Sequence, residues 1–163
     1  MLKKFMCLTA VLAFVAACDT TDQDSTNNIR GLNGKGMTAD EVRSQPGTEE
    51  GLVKIGDRVF FEFNQSDLDQ DSRETLDRQT VWLKKYNHLK VTIEGHCDER
   101  GTREYNIALG QRRATAAKNY LVANGISAGR VKTISYGKER PAVMGHDEDA
   151  WAQNRRAVTV VVE

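Results

Sequence analysis

From residue 58 to residue 162 the chain alternates short apolar runs with longer helical patterns, and this alternation restricts its fold more than any other feature. The short runs are rich in β-branched and aromatic residues, as strands are, while apolar residues recur every three to four positions in the longer segments. The predicted strands are residues 58–63, 90–97, 131–136 and 157–162, and the predicted helices are residues 68–87, 103–124 and 147–153. This order predicts an α/β fold, arranged as an α+β sandwich with helices packed on one face of a mixed four-stranded sheet.

The predicted helix at residues 103–124 has an unusually narrow apolar face made largely of small residues. These residues are Ile107, Gly110, Ala114, Ala117 and Leu121. Small side chains let two backbones approach closely, so this helix is expected to pack tightly onto the sheet.

The N-terminus predicts a secretory signal segment. A short basic start, Met1 to Lys4, precedes an apolar run from Phe5 to Ala17. The run is too short for a bilayer span, which needs ~20 apolar residues, and it fits the apolar part of a signal peptide. Residues 1–17 are therefore expected to be removed.

The residues that end this run, Val15 to Cys18, resemble the lipobox of bacterial lipoprotein precursors. The resemblance implies that Cys18 becomes the first mature residue and carries S-diacylglycerol and an N-acyl chain. Several acyl chains give a stable membrane anchor where one chain is marginal. The alternative is an ordinary secretory signal in which this cysteine stands by chance.

Residues 18–51 are predicted to be a lipidated cysteine followed by a flexible tether, with one folded domain at residues 52–163. The segment is rich in Asp, Thr, Asn, Gly and Ser, and such a composition buries too little apolar surface to offset the entropy of ordering. The formal net charge of the chain is zero, which argues against nucleic-acid binding by bulk positive charge. Its three cysteines are too irregularly spaced for a disulfide framework.

Residues 95–121 resemble the signature of the OmpA-like peptidoglycan-binding domain family. They contain a Gly-x-x-Asp-x-x-Gly turn, a Tyr-Asn pair, and then Leu and Arg-Arg-Ala in the following helix. Residues 134–141 and 154–158 resemble the peptidoglycan-associated lipoprotein branch of that family, and the likeness extends over residues 52–162. The resemblance implies a protein that binds the cell wall without catalysis and needs no cofactor besides its lipid.

The ligand that the resemblance implies is the stem peptide of peptidoglycan, held through meso-diaminopimelate. Asp98 matches the family aspartate that binds the ammonium of this residue, and Arg113 matches the arginine that binds its carboxylate. An arginine can donate to both carboxylate oxygens at once. Two other interpretations stay open, in which Asp98 only caps the turn before Gly101 and Arg113 only forms a surface salt bridge.

The loop after the first predicted strand matches a ligand-binding turn of the family. It contributes Phe63, Asn64, Ser66 and Asp67, and Leu109 matches an apolar wall of the same pocket. Many relatives carry aspartate at the position of Asn64, so this residue keeps a hydrogen-bonding side chain without the charge.

Residues 154–156, Asn-Arg-Arg, have two interpretations. They could contact glycan, but a structural role is favoured.

The resemblance also implies a cellular setting: the Tol envelope system, with TolB and other Tol proteins as partners, and the periplasmic face of the outer membrane. Binding to TolB would compete with binding to the wall. Asp19 follows Cys18 directly, and an aspartate there retains lipoproteins in the inner membrane of enteric bacteria, so inner-membrane retention stays open.

A wall-active enzyme that uses Cys97 and His96 is the competing class of function. Neighbouring residues of a strand point to opposite faces, so this pair is poorly placed for proton transfer. Cys97 shares a face with Val91 and Ile93, which favours a small core residue. The histidines and Cys97 show no metal-ligand spacing, although His96 could still orient Asp98.

Overall fold

The computed structural model describes residues 28–29 and 36–162. The predicted signal segment, Cys18 and most of the predicted tether therefore lie outside the described residues. The strands are β1 (Asn28–Ile29), β2 (Met37–Thr38), β3 (Arg58–Phe60), β4 (Lys90–His96), β5 (Val131–Gly137) and β6 (Arg156–Val162). The helices are α1 (Ala39–Ser44), α2 (Glu49–Ile55), α3 (Gln70–Lys85), α4 (Arg103–Ala123) and α5 (Glu148–Asn154), with a 3-10 turn at Ala128–Arg130.

The main sheet has four strands in the order β3-β6-β4-β5. Strands β4 and β5 are parallel, while β6 is antiparallel to both of its neighbours, β3 and β4. The α/β fold with a mixed four-stranded sheet is thus confirmed. A two-residue antiparallel pair joins β1 to β2.

The close packing predicted for α4 is present where this helix crosses β4. A Cβ atom added at Gly95 would lie 1.9 Å from the Gly110 carbonyl oxygen, and one added at Gly110 would lie 2.4 Å from Ser135 Oγ. Only glycine fits at either position. This contact fixes α4 against the end of β4, and so places Asp98 and Arg113 in the same region.

The core lies between the sheet and helices α3 and α4. Leu76 and Leu83 of α3, Ile93 of β4 and Leu121 of α4 are fully buried in it. Trp82 of α3 is also fully buried, and its indole N–H donates to the Pro46 carbonyl at 2.9 Å. The segment before residue 52 is thereby joined to the core.

The predicted tether boundary is wrong for residues 37–51. Thr38 and Thr48 cap α1 and α2 with their side-chain oxygens, and Val42 and Leu52 are fully buried in the core. The polar composition of this segment did not indicate helices, because each short helix buries only a few apolar residues. These helices are stabilised by packing against the rest of the domain rather than by their own composition.

Within the described residues, no helix combines the length and the apolar character that a membrane crossing requires.

Candidate functional site

A cavity of about 180 Å³ opens where β4 ends and α4 begins. Five residues that the sequence assigned to the site line it: Phe63, Asn64, Asp98, Leu109 and Arg113. Ser66 and Asp67, which were also assigned to the site, do not line the cavity.

Asp98 is a buried carboxylate held mainly by Arg100. Its side chain is 5% exposed. It accepts from Arg100 Nη2 at 2.7 Å, from Arg100 Nε at 3.2 Å and from the Arg100 backbone N–H at 3.1 Å. Asp98 therefore does brace the turn before Gly101, as the alternative interpretation held, while it also faces the cavity.

Burial alone would raise the pKa of Asp98. The hydrogen bonds from Arg100 and the positive charges of Arg100 and Arg155 outweigh that effect and hold its pKa below the ordinary value of 3.8. Arg155 Nη1 lies 3.6 Å from Asp98 Oδ2, which is an ion pair without a hydrogen bond. The carboxylate is thus kept ionised at neutral pH.

Arg113 reaches the cavity wall but does not present a free guanidinium fork. Its Nε donates to the Gln65 carbonyl at 2.8 Å, its Nη1 to the His96 carbonyl at 2.9 Å and its Nη2 to the Glu62 carbonyl at 3.1 Å. The Cys97 thiol is a further hydrogen-bonding partner, and Arg113 is 1% exposed. Three of its five N–H groups thus donate to backbone carbonyls, and the carboxylate-binding role assigned to Arg113 stays a prediction.

Arg100 is the main site residue that the sequence analysis missed. Its guanidinium carbon lies 4.0 Å from the centres of both the Phe63 and the Trp151 rings, so the cation lies against two aromatic side chains. Phe63, Arg100 and Trp151 are far apart in sequence, and only the fold brings them together. The one local signal was the place of Arg100 between Asp98 and Gly101.

The other unassigned lining residues are Cys97, Gly101, Tyr105 and Asn106. The Tyr105 hydroxyl donates to Asn64 Oδ1, which joins the loop after β3 to α4. Asn64 has a φ of +58°, a conformation that asparagine tolerates better than most residues. Asn106 Nδ2 donates to the Arg100 carbonyl at 2.8 Å and thereby braces the Asp98–Gly101 turn.

Residues 154–156 are buried, in keeping with the structural role favoured for them. The Asn154 side chain binds the backbone of Ala142 and Val143 through three hydrogen bonds. Arg155 Nε donates to the Phe61 carbonyl at 2.9 Å, and its Nη2 lies 2.7 Å from Glu148.

Cys97 and His96 do not form a nucleophile-base pair. Cys97 Sγ contacts the Asn106 carbonyl at 3.3 Å, and burial raises the pKa of its thiol. Neither ring nitrogen of His96 has a well-formed hydrogen bond among the described residues. The His96 ring instead lies against Tyr136, with the ring centres 5.5 Å apart, so it does not orient Asp98.

In the part of the chain that the structure describes, no group of three or more His, Cys, Asp or Glu side chains is arranged to hold a metal ion.

Comparison with known proteins agrees with this architecture. A family model described as the OmpA family matches residues 60–155. This match identifies the domain as a member of the OmpA family. Relatives with higher sequence identity show to which group of the family it belongs.

Two relatives carry the description peptidoglycan-associated lipoprotein. The one from Mesorhizobium japonicum is 46% identical over 155 residues, covering 93% of this chain and 89% of the relative. The one from Brucella melitensis is 50% identical over 117 residues, covering 71% and 70%. The chain therefore belongs to the OmpA family, in its group of peptidoglycan-associated lipoproteins.

Solved structures show the same fold. The crystal structure of the peptidoglycan-associated lipoprotein from Burkholderia pseudomallei matches with a TM-score of 0.66 and 36% identity, covering 74% of this chain and 99% of that one. The C-terminal domain of Helicobacter pylori MotB matches with a TM-score of 0.61 at 18% identity, covering 66% and 84%. At that identity the second likeness concerns the fold alone.

Proposed function

We propose that the protein is a non-catalytic lipoprotein that binds peptidoglycan through the cavity beside Asp98, and that its ligand is the meso-diaminopimelate of a stem peptide. The observation that carries the proposal is a buried, ionised carboxylate at the wall of a cavity that also contains two arginines. The relatives' description as peptidoglycan-associated supports the choice of ligand.

The chemistry of the ligand suits the cavity. The free end of meso-diaminopimelate carries an ammonium and a carboxylate on one carbon, so it needs an anion and a cation close together. Asp98 supplies the anion, and the surrounding arginines supply positive charge. A volume of about 180 Å³ suits the end of one amino acid rather than a whole wall fragment.

The proposal extends to the anchor and the partners. Acyl chains on Cys18 hold one end of the chain in the outer membrane, or in the inner membrane if Asp19 causes retention, and the domain holds the wall. Individual stem peptides can bind weakly, because the wall offers many of them to a domain confined nearby. Partnership with TolB and other Tol proteins is supported by the family resemblance alone.

Co-sedimentation of the detergent-solubilised, lipidated chain with purified cell-wall sacculi tests the site. Asp98→Asn is expected to weaken sedimentation about tenfold to a hundredfold, because a hydrogen bond to a buried charged group is lost. Free meso-diaminopimelate should compete with the wild-type interaction.

Asp40→Asn is the matched control, since the Asp40 carboxylate is 93% exposed on α1 and pairs only with Arg43 among the described residues. A thermal melt of each variant separates loss of binding from loss of folding. Equal sedimentation of wild type and a folded Asp98→Asn variant would remove the proposed site. Release of soluble wall fragments by the wild type would favour the enzyme alternative.

Metabolic labelling with palmitate tests the anchor. Cys18→Ser should abolish incorporation, whereas Cys7→Ser should leave it intact, because Cys7 lies in the segment that is removed. Unchanged labelling of the Cys18 variant would show that lipid is attached elsewhere.

A further inference from the structure

The outer face of the sheet, opposite the core and helices α3 and α4, carries positive charge beside exposed apolar side chains. We propose that the end of this face at the start of β4 docks on an anionic phospholipid surface and thereby orients the domain. The inference goes beyond wall binding. It rests on the proposed function in one respect, because the proposed acyl anchor on Cys18 would hold the domain beside such a surface.

The pairing register gathers a compact patch on the outer face. Val91 and Ile93 of β4 point into the core, and successive side chains of a strand alternate, so Thr92 between them points outward. Thr92 pairs with Lys132 of β5 and with Val160 of β6. Together with outward neighbours on the same three strands, these pairing partners form the Lys90 patch, which consists of Lys90, Lys132, Ile134, Val160 and Val162.

The Lys90 patch exposes apolar side chains next to its lysines. Ile134 is 40% exposed and Val162 is 41% exposed, and neither belongs to the hydrophobic core. Single exposed apolar residues are ordinary on protein surfaces, but these two lie on the same strand surface as Lys90 and Lys132. A surface that combines apolar and basic side chains in this way suits the boundary between lipid headgroups and acyl chains.

The charge of the outer face indicates an anionic partner. Lysine and arginine together number 23 in the chain, as do the acidic residues, yet the outward positions of the main sheet hold four bases and one acid, which are Arg58, Lys90, Lys132, Arg156 and Glu94. Arg58 pairs with Asp57 and Arg156 is buried, so the accessible positive charge lies at the two lysines. The Glu94 carboxylate lies 3.6 Å from His96 Nε2, toward the other end of β4. Two such faces would repel each other, which disfavours a second copy and favours lipid phosphates.

The Lys90 patch and the cavity lie at opposite ends of β4. Lys90 begins this strand and the cavity opens where it ends, so its seven residues separate the two by about 20 Å. The N-terminal segment joins the domain near the patch, since the hydroxyl of Tyr86, shortly before Lys90, donates to the Gln45 carbonyl at 2.7 Å. A domain docked through the patch would therefore turn its cavity away from the lipid, toward a wall ligand.

The chain between the proposed anchor and the domain is short. Asn28 of β1, which pairs with β2, follows Cys18 by ten residues, and ten residues reach at most about 35 Å. The anchor would therefore hold the domain within that distance of the lipid, so that even weak docking by the Lys90 patch becomes effective. This proximity favours lipid over an acidic protein that diffuses freely.

Fluorescence quenching on the full lipidated chain in vesicles tests the inference. The vesicles contain phosphatidylethanolamine with or without phosphatidylglycerol, together with lipids that are spin-labelled at the headgroup. An environment-sensitive fluorophore is attached at Thr92→Cys, in the centre of the Lys90 patch, or at Asn119→Cys, an exposed position of α4. Only the label at residue 92 should be quenched, and only when phosphatidylglycerol is present. The wild type, treated alike, corrects for labelling of the buried Cys97.

Substitutions in the chain labelled at residue 92 separate charge from apolar contact. Lys90→Gln combined with Lys132→Gln should lower the ratio of docked to undocked protein about tenfold or more, because each basic side chain near an anionic surface contributes about fivefold. The matched control is Lys54→Gln combined with Lys84→Gln, which removes two exposed lysines from α2 and α3 and should leave the ratio unchanged. Ile134→Ser should lower the ratio about threefold through lost apolar contact. Thermal melts establish that each variant is folded.

The inference is overturned if the two labels are quenched equally, if quenching does not depend on phosphatidylglycerol, or if both pairs of lysine substitutions have the same effect. A benzophenone side chain at residue 92 in living cells tests the other occupants. A main crosslinked product of two copies of this chain, or of this chain with another protein, would overturn the inference as well.

Sedimentation with sacculi should be unaffected by the lysine substitutions in the Lys90 patch. A lipidated chain that sediments with the wall but does not dock on anionic vesicles would overturn this inference alone and leave the proposed function in place. Loss of sedimentation by the wild type would instead count against the proposed function.

Discussion

At the end of β4, the two faces of the sheet differ in whether their buried charged and polar groups have partners. On the helix side, Asp98 pairs with Arg100 and Arg155, and Arg113 donates to three backbone carbonyls. On the opposite side, His96 has no well-formed hydrogen bond among the described residues, and Arg156 Nε has no partner there. Both regions are buried, and the cavity lies beside the first.

This difference indicates which buried polar groups the fold depends on. A buried charge is tolerated when a partner compensates for its lost hydration, and breaking such a set leaves the remaining groups uncompensated. The helix side is compensated in this way except at Arg155 Nη1, which pairs with Asp98 without a hydrogen bond, so removal of one member is expected to be costly. The groups of the opposite side are already partly uncompensated, so their replacement by apolar residues is expected to cost little.

The largest expected effect comes from the two buried arginines. Arg113→Met should lower the free energy of unfolding by about 3 to 5 kcal/mol, because three carbonyls lose their donor. Arg156→Met should cost less, about 1 to 2 kcal/mol, since its Nε has no partner among the described residues and its two Nη atoms donate to the Asn154 and Arg140 carbonyls at the longer distances of 3.4 and 3.2 Å. Urea denaturation of both variants at neutral pH measures the difference.

These two variants remove the same side chain and introduce the same residue, so each controls for the other. Equal losses of stability would show that hydrogen-bond satisfaction does not distinguish the two faces.

The second effect is a dependence of stability on pH that comes from the opposite face. Burial, followed by the positive charge of Arg156, lowers the pKa of His96 from 6.5 to about 4. Between these values the unfolded chain binds a proton that the folded protein does not, so the free energy of unfolding decreases as the pH falls from 6.5 to about 4. The contribution of His96 is roughly 3 kcal/mol when that window has been crossed.

His96→Phe should remove this part of the pH dependence, as denaturation curves at pH 7, 5.5 and 4.5 would show. Binding to sacculi should change little from pH 7 to pH 5 in either protein, because the pKa of Asp98 lies below 3.8. A wild-type slope that persists in the His96 variant would assign the acid sensitivity to other groups.

The smallest expected effect concerns the edge of the cavity. Tyr105→Phe removes the hydroxyl that donates to Asn64 and joins the loop after β3 to α4. Because Tyr105 is 44% exposed, the loss of stability should be about 0.5 to 1 kcal/mol. A loss of stability in a thermal melt as large as that of Arg113→Met would contradict this order, because the exposed Tyr105–Asn64 hydrogen bond would then matter as much as the buried arginine.

The sequence predicted the sheet and the long helix well because those elements rest on local periodicity. The close crossing of α4 over β4 was also predictable, since Gly110 and the small residues near it give α4 a face that a neighbouring backbone can approach closely. The helices at residues 39–55 were missed because their burial depends on α3. Their local signals were the capping residues Thr38 and Thr48, inside a segment whose composition is polar.

The sequence predicted several of the residues that line the cavity, but it did not predict the contacts that each of them makes. Asp98 and Arg113 follow from a local motif, but the partners of Arg113 are 48 and 51 positions away in the loop after β3. Arg100 gains its surroundings from Phe63 and Trp151, which no local pattern connects to it. Hydrogen bonds between segments distant in sequence occupy the N–H groups of Arg113, and no local pattern predicts them.

The short strand β3 has a mechanical consequence if, as proposed, the chain is anchored in a membrane at one end and bound to the wall at the other. It lies at the edge of the sheet and is joined to β6 by three residue pairs, and the cavity loop follows it directly. A pull on the N-terminal side therefore acts first on α1 and α2, whose Val42 and Leu52 are buried in the core, and reaches the three pairs of β3 only after these helices have detached. Arg113 donates to the Glu62 and Gln65 carbonyls, just after β3. These hydrogen bonds hold the cavity loop to α4 even when the pairs between β3 and β6 have separated.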